Sequence, residues 1–512
     1  MTSAAFTRRA ALRSLLGGAM AASALPAYAA GIPEALRPKK RPSGLSAQPA
    51  AATASEVTSS GLTHAVESVN VPGDSACIVH NLTTGETLES YHGDHPMAPA
   101  SVAKTMTSMY ALEHLGADHR FQTRLLTTGL IDNGVLKGDL ILAGGGDPVL
   151  DTQDLGELAA QLRAVGIHSV EGAFQYYGKA LPETRNIDPG QPYHVSYNPG
   201  ISGLNLNFNR VYFDWKKVGG KFQISMQAPA GRYRPGVEIA TMEIVDQSES
   251  VFTWEDRDGK DVWTVLRSAL NDDGARWLPV TRPAAYTAEV FATLARSNGI
   301  VLGTPEALDA LPGDAYQIAQ HESQTLDAIL KDMLFYSTNV TAEIVGVSTT
   351  IKLTGQIPPT LDVSARYLSA WARQRFGMKE VDMVDHSGLG DASRVSVRDL
   401  ATMLNSKSAQ VQLHPLLKVI PLRKGGKSVD PHHPYKVEAK TGTLNFVSAL
   451  AGYETAPNGH KLVFAIISNN LPKRDELTRN QKEHPPGGAQ WLGRARYLQQ
   501  NLMERWGGMY KP

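Results

Sequence analysis

The sequence predicts an α+β protein, with a five-stranded antiparallel sheet flanked by helices and split by a large, mostly β insertion. Three observations predict it. Two strand-like runs lie near the start, "SACIVHN" (75–81) and "ETLESYH" (86–92), joined by a Thr83-Thr84-Gly85 turn. Three more lie near the end, "YKVEAKTG" (435–442), "VSALAGYE" (447–454) and "KLVFAIISNN" (461–470). Between the two groups, from about 126 to 319, the chain changes to Gly and Asn turns with scattered strands such as "DLILAG" and "VYFDW".

Bulk composition fits this reading. A chain of 512 residues is too long for one simple core, and 42% hydrophobic residues suit a globular protein. Fifty basic and fifty acidic residues give zero net charge, which argues against a nucleic-acid binder. The single cysteine, Cys77, excludes an internal disulfide and reads as a small buried hydrophobe in a strand.

The first residues read as a targeting signal rather than fold. Arg8, Arg9 and Arg13 precede an apolar stretch from Leu15 to Leu25, which ends in Ala27-Tyr28-Ala29, a small-x-small cleavage pattern. Residues 1–29 are therefore expected to be a cleaved signal peptide and the protein periplasmic. The paired arginines resemble a twin-arginine export signal. Residues 30–60 are rich in Pro, Ala and Ser and read as a flexible tether. No later segment has membrane length, so at most peripheral membrane contact is expected. The expected organisation is a discontinuous catalytic domain, 61–125 and 320–512, around an insertion, 126–319, of one or two modules.

The helices follow from periodicity. Pro99 opens one, on which Val102, Met106, Met109 and Leu112 recur at helical spacing. "DLGELAAQLRAVG" marks a helix in the insertion, and "SQTLDAILKDMLFYS" and "SVRDLATMLNSK" mark two beyond it. Pro457-Asn458-Gly459 turns the last two strands into a hairpin. The final helix, "GAQWLGRARYLQQNLMERW", carries the stripe Trp491, Ala495, Leu498, Leu502 and Trp506, which suits packing on a sheet.

Three polar clusters carry chemistry. Ser101 and Lys104 stand three apart in the first turns of an apolar helix, so they share a face. Serine is a poor nucleophile until a base removes its proton, and a desolvated lysine is such a base. Ser337-Thr338-Asn339 is a polar triplet after an apolar helix. Lys440-Thr441-Gly442-Thr443 ends a strand. Each alone has a plain structural explanation: a helix cap, an Asx turn, a gatekeeping edge lysine.

Together and in order, Ser-x-x-Lys, Ser-x-Asn and Lys-Thr-Gly resemble the active-site signature of penicillin-recognising serine enzymes. About 235 residues separate the first two, unlike compact β-lactamases. "LILAGGGDPVL" and "DHSGLG" (385–390) are similar to the D-alanyl-D-alanine carboxypeptidase/endopeptidase family, the class C low-molecular-mass penicillin-binding proteins with DacB-like serine peptidases. Thr338 and Phe446 depart from that family's usual pattern, which often has Asn or Ser and then Gly there.

The resemblance implies a β-lactamase/DD-peptidase-like catalytic domain and a set of roles. Ser101 would attack the penultimate D-Ala carbonyl of a peptidoglycan stem peptide, and Lys104 would take its proton. Backbone N–H groups of Ser101 and Thr443 would hold the oxyanion. Ser337 would relay the proton to the departing amine. Asn339 would bind the substrate's peptide carbonyl and orient Lys104. Lys440 and Thr441 would face the terminal carboxylate, with Lys440 also depressing the Lys104 pKa. Gly442 would let substrate backbone lie on the strand. β-Lactams would acylate the same serine. No cofactor or metal is implied: "AGGGDP" and "RKGGKS" (423–428) lack phosphate-loop context, and His432-His433 lack a distant partner ligand. The same motifs also suit a β-lactamase or esterase, or a non-catalytic wall-binding protein. Oligomeric state is not legible.

Overall fold

The computed structural model describes residues 60–424 and 428–509. The expected signal peptide, the tether up to residue 59 and the centre of the "RKGGKS" turn lie outside the described residues.

Near-continuous apolar runs, buried on both faces, build the central sheet. Its strands are β1 (Asp74–Asn81), β2 (Thr87–Tyr91), β3 (Lys418–Val419), β4 (Lys436–Leu444), β5 (Val447–Thr455) and β6 (Lys461–Asn469). Their spatial order is β3-β4-β5-β6-β1-β2, and every pairing is antiparallel. The five long strands are those expected, and β3 is a two-residue edge too short to show a period. Across β1 and β6, Cys77 pairs with Ile466 and Ile78 with Ala465. Sequence-distant segments thus close one sheet around the insertion.

Each face of this sheet has its own core. Cys77, Val79, Leu450, Phe464 and Ile466 face the terminal helix α6 (Gly488–Met509), whose stripe from Trp491 to Trp506 is buried against them. Ala76, Ile78, Ala449, Ala465 and Ile467 face the helices α1 (Ala103–His114), α2 (Leu326–Tyr336), α4 (Leu361–Phe376) and α5 (Val397–Asn405). Burying one large apolar side chain contributes about 1.5–3 kcal/mol.

Helix α1 departs from the expected one-faced pattern. Every residue from Ala103 to Leu112 is buried, because α2, α4, α3 (Asn339–Thr354) and the helical turn Ala409–Leu413 surround it. Its polar residues must therefore be satisfied internally. Thr105 Oγ1 donates to the Val102 carbonyl at 2.8 Å, Ser108 Oγ to the Lys104 carbonyl at 2.7 Å, and Thr107 Oγ1 to the His386 carbonyl at 2.6 Å.

The insertion is mostly β. Strands Gln122–Thr127 and Tyr316–Glu322 pair antiparallel and carry the chain out of and back to the catalytic elements. They straddle the boundaries expected near 126 and 319. They belong to a five-stranded sheet, and the insertion adds three three-stranded sheets. Helices Thr152–Ala164 and Pro283–Ser297 pack with these strands around a second core that includes Leu142, Leu158, Phe174, Trp263 and Phe291. Among the described residues, no helix is long and apolar enough to cross a membrane.

Candidate active site

The nucleophile candidate sits at a backbone irregularity. Ala100–Val102 form a single 3-10 turn that runs into α1, and Ala100 has φ 45°, in the left-handed region that non-glycine residues rarely occupy. The turn 385–390 packs directly on it. A Cβ at Gly388, where φ is 74°, would stand 1.9 Å from the Ala100 carbonyl oxygen, so only glycine fits there.

Lys104 is completely buried, yet its amine has three polar neighbours. Nζ lies 3.0 Å from Ser101 Oγ, 2.7 Å from Asn339 Oδ1 and 2.8 Å from the Ser387 carbonyl oxygen. Burial is the main cause holding its pKa down, to about 7, against the opposing pull of Asp385 and Glu343. An amine near neutrality at its working pH is suited to general-base duty.

The second cluster arises where a helix breaks. Ser337 caps the end of α2 with φ 63°, Thr338 is extended, and Asn339 opens α3. The break turns Ser337 and Asn339 toward different lysines. Asn339 Oδ1 accepts from Lys104, while its Nδ2 donates to the Tyr197 carbonyl of the insertion at 3.0 Å. Ser337 Oγ accepts from Lys440 Nζ at 2.8 Å.

Strand β4 supplies the third. Lys440 is fully buried and also donates to the Thr441 carbonyl at 2.7 Å. Its pKa is held well below the ordinary lysine value, by burial first and then by the charges of Lys104 and Lys418. Gly442 brings the strand against the nucleophile turn: a Cβ there would lie 2.8 Å from the Pro99 carbonyl oxygen and 3.1 Å from Ser101 N.

Ser101, Ser337, Asn339 and Thr443 line one cavity of about 300 Å³. Thr441 does not line that cavity; it shares one face of β4 with Thr443, opposite the face of Lys440 and Gly442, and both threonines border a cavity of about 620 Å³ beside α6. Phe446, which departs from the family pattern, keeps a glycine-like backbone with φ 64° and packs edge-on against Trp491 at 5.9 Å.

Four residues that touch the Lys104 amine or hold the turn beside it escaped the sequence reading: Glu343, Asp385, His386 and Ser387. "DHSGLG" stood out only as a family-like string, without a role. Glu343 lies four residues after Asn339, on the same helical face, and that spacing was the available signal. Gln191 and Tyr197 of the insertion, with Arg474, Lys482 and Glu483, complete the cavity wall. Glu483 is held at about pKa 2, first by its hydrogen bond from His194 and also by Arg276, so it is an anion there.

A serine and a buried lysine at the start of a helix, facing a Lys-Thr-Gly strand edge, define a serine acyl-transfer enzyme on the penicillin-recognising α+β fold. The chain belongs to the D-Ala-D-Ala carboxypeptidase 3 (S13) family, whose sequence profile matches residues 60–489, and is a serine-type D-Ala-D-Ala carboxypeptidase. It is 28% identical over 440 residues to a D-alanyl-D-alanine carboxypeptidase of an Actinomadura species, covering 77% of each chain. It is 25% identical over 430 residues to the D-alanyl-D-alanine carboxypeptidase DacB of Haemophilus influenzae, covering 79% of this chain and 87% of that one. It shares its fold with the crystal structure of penicillin binding protein 4 (dacB) from Haemophilus influenzae, with TM-score 0.68 and 21% identity over 86% of this chain and 99% of that one. That protein has also been solved complexed with a β-lactam.

Proposed function

We propose that Ser101 is the acylated nucleophile of a DD-peptidase that removes the terminal D-Ala of peptidoglycan stem peptides, and that β-lactams acylate the same oxygen. The observation that carries this reading is the 3.0 Å approach of Lys104 Nζ to Ser101 Oγ, with the amine buried and near neutrality.

Ser101 Oγ attacks the penultimate D-Ala carbonyl carbon while its proton passes to Lys104 Nζ. The carbonyl oxygen becomes an oxyanion, held by the backbone N–H groups of Ser101 and Thr443; one such donor is typically worth about 2.7–4 kcal/mol of transition-state stabilisation. The C–N bond then breaks, the proton reaches the departing amine through Ser337, and D-Ala leaves. Water hydrolyses the ester and restores the serine. Asn339 and Lys440 hold the two lysine–serine pairs in register, and Lys440 supplies positive charge toward the substrate's terminal carboxylate.

When the leaving amine belongs to a neighbouring stem, the same steps cut a cross-link. Export through the N-terminal signal would place the enzyme in the periplasm with this substrate. Release of D-alanine from a D-Ala-D-Ala peptide, lost in Ser101→Ala, tests the reading. Rapid nitrocefin turnover without D-alanine release would overturn it in favour of a β-lactamase.

A further inference from the structure

The Ser387 carbonyl is one of three groups that touch the Lys104 amine, and it belongs to an irregular turn rather than to a helix or strand. What holds it is a carboxyl group on α3. Glu343 Oε1 and Oε2 accept from the His386 N–H at 3.2 and 3.0 Å, and Oε1 accepts from the Ser387 N–H at 2.8 Å. Glu343 is completely buried. Asn339 and Glu343 are four apart on one helix, so a single face of α3 reaches Lys104 twice. It does so directly through Asn339 Oδ1, and indirectly through Glu343 and the Ser387 peptide. From the other side, Thr107 of α1 donates to the His386 carbonyl at 2.6 Å. Asp385 closes the turn by accepting from the Gly388 and Gly390 N–H groups at 2.7 and 2.5 Å.

The number of acceptors matters. A neutral amine has two N–H bonds and one lone pair. Asn339 Oδ1 and the Ser387 carbonyl take the two hydrogens. The lone pair is then left facing the Ser101 hydroxyl, which donates to it. If either acceptor moves, the amine rotates about its terminal C–N bond and the lone pair leaves the serine.

We propose that Glu343 is a positioning residue for acylation: it clamps the His386–Ser387 backbone so that the Ser387 carbonyl holds one N–H of Lys104 and the amine lone pair points at Ser101. Glu343 touches no reacting atom. The proposal rests on Lys104 being the base for Ser101.

Charge gives the role a signature. The groups facing Glu343 and the Lys104 amine are Asp385 and His386 on the turn, Lys104 itself on α1 and Lys440 on β4. Burial raises the pKa of both Glu343 and Asp385, and it keeps the His386 imidazole neutral, down to about 3. Glu343 and Asp385 both favour the charged form of Lys104. Loosening the Ser387 acceptor takes a partner from the ammonium form of Lys104 and so acts toward a more acidic Lys104; any charge lost from Glu343 acts in the same direction. A residue that only supported the fold would lower the amount of active protein and leave the pH dependence in place.

The test uses the full chain as wild type, Glu343→Gln and Thr107→Val. The second-order rate of acylation by a fluorescent penicillin is measured from about pH 5 to about pH 9, per titrated active site. Glu343→Gln is expected to lower the plateau rate by about tenfold to a hundredfold, the scale of a misplaced catalytic group, and to move the acid limb to lower pH. Thr107→Val, which releases the other side of the same turn, should shift both in the same direction by less. A Glu343→Gln protein with the wild-type limb, whatever its yield, overturns the proposal. If that variant does not fold, an unchanged plateau and limb in Thr107→Val overturns it. A wild-type protein that is never acylated would instead refute the reading of Ser101 and Lys104, a separate outcome.

Discussion

The amine of Lys104 lies 3.0 Å from the hydroxyl of Ser101, inside a helix whose every side is covered. A buried lysine is costly unless its charge is paired or given up. Here burial itself draws the amine toward the neutral form, and that form is the one able to take the serine's proton.

Substituting Ser101→Ala removes the nucleophile and one contact of the amine. Covalent labelling by fluorescent penicillin should fall to zero while circular dichroism and the melting curve stay close to wild type. Retained labelling would remove Ser101 from the chemistry.

Replacing each lysine separates their duties. Lys104→Ala should slow acylation by about 10²–10⁴-fold, the usual worth of a positioned general base. Lys440→Ala, which contacts Ser337 rather than Ser101, should slow it by much less. Stopped-flow acylation rates decide, and equal modest losses would make Lys104 a structural residue.

The pH profile follows from the Lys104 pKa of about 7. The base works as the neutral amine, so acylation should reach its plateau above that value and fall about tenfold per pH unit below it. A profile flat from neutrality down to about pH 5 would show that a different group titrates with the reaction.

Gly388→Ala tests the packing of the 385–390 turn on the nucleophile. The positive φ alone costs about 1–3 kcal/mol for a residue with a Cβ. The new Cβ would also collide with the Ala100 carbonyl, so the turn must move and carry the Ser387 carbonyl with it. Both a lower melting temperature and slower acylation are expected; a stable variant with wild-type acylation would contradict this geometry.

Trp506→Ala tests the terminal helix. The indole is fully buried against the sheet and donates to Glu89 Oε2 at 3.0 Å. Its loss should cost about 3–5 kcal/mol by denaturant unfolding, and the folded fraction should keep its acylation rate, because the helix lies on the far side of the sheet from Lys104.

The apolar runs at 75–92 and 435–470, bounded by turn residues, and the stripe on the last helix are legible because each pattern is complete within a short stretch of chain. Ser101, Lys104, Ser337, Asn339 and Lys440 are legible because short spacings on helices and strands fix which side chains are neighbours. Thr441 lines the cavity beside α6 together with Thr443, a placement that the order of the motif alone does not record. The all-round burial of α1 was missed because its neighbours come from four distant parts of the chain, and no local period records them.

From the sequence alone came the antiparallel α+β plan, the interrupting insertion and the three polar clusters, since each depends on residues a few positions apart. Tertiary structure alone decided which hydroxyl meets which lysine, that the Ser387 carbonyl and Glu343 hold the Lys104 amine, and that Tyr197 of the insertion reaches Asn339. Those contacts join residues separated by tens to hundreds of positions, and only the packing of α3, the 385–390 turn and β4 around α1 brings them within hydrogen-bond reach.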